Sequence, residues 1–199
     1  MSHFDAVAHE WDRGDTRQRI AEATARAVFE NIPLQNGMDL LDFGAGTGLL
    51  SFRLLPHVRS VTAVDLSEKM LEVLRAKRAP GDRIETITQD ILEQPLDRRF
   101  DGIVSSMAMH HVPDTAALMR TFYRHLNPGG FLAVADLDEE DGTFHSRGND
   151  GVHHFGFDRE ALRTIAAEAG FRDIGFTTVL DIEKPYGTYP VFLLSARKN

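Results

Sequence analysis

There is no cysteine among the 199 residues, which removes disulfides, thiolate metal sites and cysteine nucleophiles together. A basic excess is missing too: 30 acidic side chains against 22 basic ones leave a formal net charge of −8, so the chain has no broad positive field for DNA or RNA. No apolar run approaches the roughly 20 residues of a membrane-spanning helix. The N-terminal MSHFDAVAHEWDRGD lacks the basic start and apolar core of a secretory signal. These absences lead us to expect no DNA partner, no membrane association and a cytoplasmic location. The length suits one domain, with no linker, repeat or low-complexity tract to divide it.

What is present alternates. Short β-rich runs cover 38–43, 60–66, 83–89, 100–106 and 130–137, and a terminal pair, 171–182 and 189–198, is joined by KPYGT. Amphipathic stretches lie between them, the pattern of a parallel sheet with helices on both faces, while the terminal hairpin adds one antiparallel strand. Ser67, Asp114 and Asp158 stand as N-caps, with NPGG and Gly170 as stops. Two further helical pieces, HFDAVAHEWD and TRQRIAEATARAVFENI, precede the first strand. In the first, Phe4, Val7, Ala8 and Trp11 share a face at helical spacing. The expected organisation is cap helices over 1–35, a ligand-binding core over 36–137, a long loop over 138–157 and a terminal helix with hairpin over 158–199. A loop of that length is read as a lid or binding loop.

The first strand runs into LLDFGAGTGLLS. A phosphate-binding P-loop needs Lys and then Ser or Thr after the last glycine, but Leu49 and Leu50 stand there. The dinucleotide fingerprint needs a third glycine at position 49, and Leu49 fails that as well. Asp42 also brings negative charge to the place where a pyrophosphate needs donors. The strand ends that follow carry more acceptors, Asp65 after the second strand and Asp90 after the third. An ionised carboxylate only accepts hydrogen bonds, so the edge suits a ligand with an amine or cation near Asp42, a diol near Asp65 and an exocyclic amine near Asp90. S-adenosylmethionine fits that description.

With these segments in order, the sequence resembles the class I S-adenosylmethionine-dependent methyltransferases of small-molecule type over about 38–137, through DFGAGTG, VTAVDLSEKML, TQDILEQPL, FDGIVSSMAMHHVPD and LNPGGFLAVADL. The resemblance implies a Rossmann-like seven-stranded sheet of order 3-2-1-4-5-7-6, mostly parallel with one antiparallel strand and an N-terminal helical cap. It further implies S-adenosylmethionine as cofactor and S-adenosylhomocysteine as product. Within these segments it assigns cofactor contacts to Asp42, Gly44, Ala45, Gly46, Thr47, Gly48, Asp65, Leu66, Met70, Asp90, Ile91 and Ser105. FDAVAHEWD is similar to the leading helix that covers substrate and cofactor in such enzymes, which places Phe4 and Trp11 in a lid.

The sulfonium already makes the methyl group electrophilic, so the protein must align a nucleophile and, where necessary, remove a proton. His110, Asp136 and His154 are the candidate proton-transfer residues, with His111 and His153 beside the acceptor and His145 further along the loop. Local hydrogen bonding and lid packing are the plainer roles for the same histidines. Asp136, Asp138, Glu139, Asp141 and His145 together also suggest a divalent-ion site, but their spacing matches no compact motif, and no metal is expected. SSMAMHH lacks the D/N-P-P-Y/F segment of nucleic-acid amino-methyltransferases, and no appended recognition domain is expected. The expected acceptor is a small organic molecule, methylated at O, N, C or S, on a monomer or homodimer. A protein or RNA acceptor and a non-catalytic S-adenosylmethionine-binding protein are the alternatives.

Overall fold

The computed structural model describes residues 3 to 144 and 151 to 199. Strands β1 Asp39–Phe43, β2 Ser60–Asp65, β3 Ile84–Thr88, β4 Phe100–Ser106, β5 Leu126–Leu137, β6 Arg172–Lys184 and β7 Gly187–Arg197 form one sheet. Their order is β3-β2-β1-β4-β5-β7-β6. The first five pair in parallel, and β7 runs antiparallel between β5 and β6. This is the expected Rossmann-like sheet. The order reverses at β1, which has β2 on one side and β4 on the other, so the crevice for a ligand opens at the carboxyl end of β1.

Alternation along the strands divides the core into two layers. Leu40, Val61, Ala63 and Val104 pack with Val28 of α2 (Asp15–Asn31), Leu54 of α3 (Leu49–Leu54) and Leu74 of α4 (Glu68–Lys77). Leu41, Val64, Ile103 and Leu132 pack on the other face with Phe122 of α5 (Thr115–His125) and Leu162 of α6 (Arg159–Glu168). Neighbouring Leu40 and Leu41, both fully buried, thus serve opposite layers. Truncating Leu41 to Ala would cost about 2–5 kcal/mol, since the removed methyls leave a cavity between packed side chains.

The three expected caps are in place. Ser67 Oγ accepts the Met70 amide at 3.2 Å, Asp114 that of Ala117 at 2.8 Å and Asp158 that of Ala161 at 2.7 Å. Each satisfies a donor that the first helical turn leaves open.

Elsewhere the structure departs from the expected boundaries. The first cap piece is a short helix, α1 His3–Val7, that tightens into a 3-10 turn over Ala8–Arg13, so the single amphipathic helix expected there is replaced by two windings. At NPGG the chain has already left the helix, because α5 ends at His125 and β5 begins at once at Leu126, opposite Phe100 with a register shift before Gly102. The two described ends of the stretch 138–157 are less irregular than their composition suggests. They are zipped by Glu139 N–H to Phe157 O at 3.2 Å, Glu140 N–H to Phe155 O at 2.9 Å and Phe157 N–H to Leu137 O at 3.0 Å. His145 lies outside the described residues.

Candidate active site at the carboxyl edge

The loop after β1 is built on left-handed backbone at Gly44, Gly46 and Gly48. At Gly44 a Cβ would sit 2.3 Å from that of Ala108, so glycine there lets the loop close against the chain leaving β4. At Gly46, with φ of +54°, a Cβ would meet nothing within 4 Å, leaving the backbone open to a ligand from that side.

Asp65 stands beside this opening. Its Oδ2 accepts the Gly46 amide at 2.7 Å and its Oδ1 the Ser67 amide at 2.8 Å. Burial raises its pKa above the ordinary carboxylate value, against these amide hydrogen bonds, which lower it. An anchored carboxylate with lone pairs remaining on both oxygens is suited to a vicinal diol. Leu66 follows it, 70% exposed. Asp90 at the next strand end accepts the Leu92 amide at 2.9 Å, a tight turn on its own backbone.

Other expected cofactor contacts lie beneath the loop. Asp42 is 1% exposed and accepts the Ser51 hydroxyl at 2.5 Å. Burial, with the Asp65 charge adding to it against the Ser51 hydrogen bond, pushes its pKa to about 7. Met70 and Ile91 are buried. Ser105 is fully buried, and its hydroxyl donates to Phe43 O at 2.8 Å, tying β4 to β1. Ala45 donates its amide to Val64 O at 3.1 Å. The Thr47 hydroxyl turns to the cap and donates to Asp12 at 2.5 Å.

The N-terminal cap crosses this edge. Asp5 accepts the Ser67 hydroxyl at 2.7 Å, Asp12 accepts from Thr47 and Lys77, and the Phe4 ring meets His111 edge-on at 5.0 Å and Trp11 at 5.8 Å. The sequence singled out the aromatic residues and missed the acids. Asp5 and Asp12, seven residues apart in an apolar-faced segment, were the available signal.

The two adjacent histidines have separate surroundings. His110 is 2% exposed, its Nδ1 is 2.7 Å from Asp136 Oδ1 and its amide donates to Asp136 Oδ2 at 3.2 Å. Burial pulls this imidazole down, but the Asp136 carboxylate outweighs burial and leaves it above the ordinary histidine value. His111 Nδ1 lies 2.7 Å from Gly151 O, and burial with the neighbouring His110 lowers it to about 4. His110 O accepts the amides of His153 and His154 at 2.9 and 3.2 Å. His154 is occupied at Nε2, 3.0 Å from Val112 O and 3.3 Å from Thr115 Oγ1, so its Nε2 proton is directed at a carbonyl. The His153 side chain is exposed. Of the loop acids, Asp138 is held by two bonds from Arg159 at 2.6 and 2.7 Å and Asp141 accepts from Thr143. Among the described residues no group of three potential ligands could hold a metal ion.

Residues 12–174 match a family of methyltransferase domains. The chain belongs to the class I S-adenosylmethionine-dependent methyltransferases. An uncharacterized methyltransferase of Schizosaccharomyces pombe is 32% identical over 152 residues, covering 68% of this chain and 54% of its own. A ubiquinone biosynthesis O-methyltransferase of Pseudomonas putida is 31% identical over 145 residues, covering 69% and 62% respectively. The chain therefore spans little more than half the length of these relatives. Among solved structures, the methyltransferase in a complex with the Haloferax volcanii Trm112 methyltransferase activator superposes with a TM-score of 0.78 at 20% identity, over 99% of this chain and 98% of that one. Membership in this family implies S-adenosylmethionine, and the open side of Gly46 next to the anchored Asp65 fits its ribose end. Among the described residues no helix is long and apolar enough to cross a membrane.

Proposed function

We propose that this chain transfers a methyl group from S-adenosylmethionine to a small organic acceptor. The observation that carries the acceptor class is that the carboxyl edge is covered from two directions. Phe4 of the cap packs on His111, while the 151–154 segment is fastened to the same turn through His110 O and His111 Nδ1. An edge covered from two sides suits a small molecule better than a polymer.

In this reading Asp65 takes the ribose diol, Asp90 the adenine edge, and the backbone of Gly44, Ala45, Gly46, Thr47 and Gly48 passes beneath the cofactor, with Asp42 and its Ser51 hydrogen bond supporting the loop from below. Leu66 lies against the base. When bound, the cofactor supplies an electrophilic methyl group. The chain's own residues orient the acceptor and hold its proton. The His110 Nδ1 proton directed at Asp136 places the lone pair of the neutral ring on Nε2, which makes His110 with Asp136 the preferred proton-transfer pair and leaves His154 a supporting role. His111 and His153, with Phe4 and Trp11, would border the acceptor.

The test is to incubate the protein with methyl-labelled S-adenosylmethionine and a cell extract, then separate small molecules from macromolecules. Label in a small molecule other than S-adenosylmethionine itself, above that in extract without the protein, supports the proposal. Label confined to protein or RNA would favour the rival reading of a macromolecular acceptor. Tight cofactor binding with no label transferred to either fraction would favour a non-catalytic binder.

A further inference from the structure

The cap meets the cofactor loop through one side chain that bridges three separate parts of the chain. Asp12 Oδ1 accepts the Thr47 hydroxyl at 2.5 Å, and Asp12 Oδ2 accepts the Lys77 ammonium, from the last turn of α4, at 2.6 Å. The ion pair alone would carry little, because its side chains are 28% and 32% exposed and such pairs are weak in water. Thr47 decides the matter. It is 1% exposed with the cap seated, so removing the Asp12 carboxylate beneath a seated cap leaves a buried hydroxyl without this acceptor, a loss larger than that of an exposed contact. Thr47 also stands between Gly46, whose amide is held by Asp65, and Gly48, whose left-handed φ of +82° starts α3. The loop is thereby held between an acid of the cofactor site and an acid of the cap. At the other end of the same cap, Asp5 accepts the Ser67 hydroxyl, and Ser67 donates its amide to Asp65. Both anchors of the cap lead back to the residue assigned to the ribose.

We propose that Asp12 is a positioning residue that straps the N-terminal cap to the glycine loop, so that the cofactor passes in and out only while the bonds to Thr47 and Lys77 are broken. The inference rests on the reading of this edge as the S-adenosylmethionine site. Asp12 touches no reacting atom in this account; it sets how fast the site exchanges its occupant. A strap of this kind slows association and dissociation together and leaves their ratio nearly unchanged, whereas a residue with a merely structural role, or a direct contact to the cofactor, would alter affinity.

The single tryptophan of the sequence, Trp11, adjoins Asp12 and lies under the Arg17 guanidinium at 3.7 Å, so its fluorescence reports the cap. Stopped-flow mixing of the full chain with S-adenosylmethionine should show both rate constants rising about tenfold in Asp12→Ala, with the dissociation constant changed by less than about threefold. Lys77→Met, which keeps the Thr47 bond, should give a smaller rise, and the double variant no more than Asp12→Ala alone. Asp12→Asn, which retains an acceptor for Thr47, is the substitute if Asp12→Ala does not fold, with the same smaller rise expected. Amide exchange over residues 3–18 in protein without cofactor should quicken in Asp12→Ala. Unchanged rates in a folded variant, or faster dissociation with unchanged association, would overturn the strap. If wild-type protein binds no S-adenosylmethionine the cofactor reading fails, and the amide exchange then decides the strap alone: quickened exchange upholds it and unchanged exchange refutes it.

Discussion

Replacing Asp42 by Asn should change how the protein's stability depends on pH, in a direction opposite to that of a salt-bridged acid. Asp42 is 1% exposed, and burial is the largest cause of a pKa near 7 against an ordinary value of 3.8. The folded chain therefore keeps this proton over a range in which the unfolded chain has already lost it. Where the native state binds more protons, stability falls as pH rises. The contribution is most favourable at or below the ordinary value, declines as pH climbs through the window between 3.8 and about 7, and stays low above it. The whole interval corresponds to about 4 kcal/mol. Between about pH 5.5 and 7.5 roughly half of it, about 2 kcal/mol, should be lost. Asn offers an acceptor to Ser51 and cannot ionise, so the variant lacks this slope. Urea denaturation of both proteins at the two pH values isolates the effect, because every other titrating group is common to both. The stability of Asp42→Asn minus wild type should grow by about 2 kcal/mol towards the higher pH. A difference that stays constant within about 0.5 kcal/mol would refute a protonated Asp42 and place a compensating charge beside it.

Three further outcomes follow from the geometry. Asp65→Ala removes the acceptors proposed for the ribose, and calorimetry should show S-adenosylmethionine binding weakened by about 1–2 kcal/mol; unchanged affinity in folded protein would move the diol elsewhere. Asp136→Asn breaks a buried pair with His110 and should destabilise by about 3 kcal/mol near pH 6. Because Asp136 holds His110 above the ordinary histidine value, its stabilisation is present below that value and is lost as pH rises through the folded one, so the deficit in a urea series should shrink by about pH 9. Ser67→Ala removes the cap of α4 and the donor to Asp5 and should cost about 1 kcal/mol, read as a lower thermal midpoint; an unchanged midpoint would mean that neither contact matters in solution.

The fold was legible because its main signals are backbone demands that only certain residues meet. Left-handed turns need Gly44, Gly46 and Gly48, and first helical turns need Ser67, Asp114 and Asp158, so each reads from a few adjacent residues. The cap winding did not read, because apolar spacing at Phe4, Val7, Ala8 and Trp11 fits an α-helix while the contacts of Asp5 and Asp12 with distant residues accompany a tighter turn. Thr47 and Ser105 looked like ligand groups by position. Where their hydroxyls point depends on Asp12, 35 residues away, and Phe43, 62 residues away, and no local pattern carries that.

The turn after β4 shows the limit most sharply, since His110 and His111 are the same residue type in adjacent positions, with ring centroids 4.1 Å apart, and the fold gives them different partners. Both lie in a 3-10 turn over Met109–His111. One ring faces back to Asp136 on β5, the other to Gly151 and the Phe4 ring. The first is raised by its carboxylate partner, and the second is lowered to about 4 by burial and by its neighbour. A pair so divided resembles the separation of acid and base roles by environment. At neutral pH, with that lowered value, His111 is an uncharged ring against Phe4 of the cap, and His110 is the one whose charge responds to Asp136. In the proposed methyl transfer, proton transfer therefore falls to His110, while the ring of His111 joins the cap to the segment that begins at Gly151.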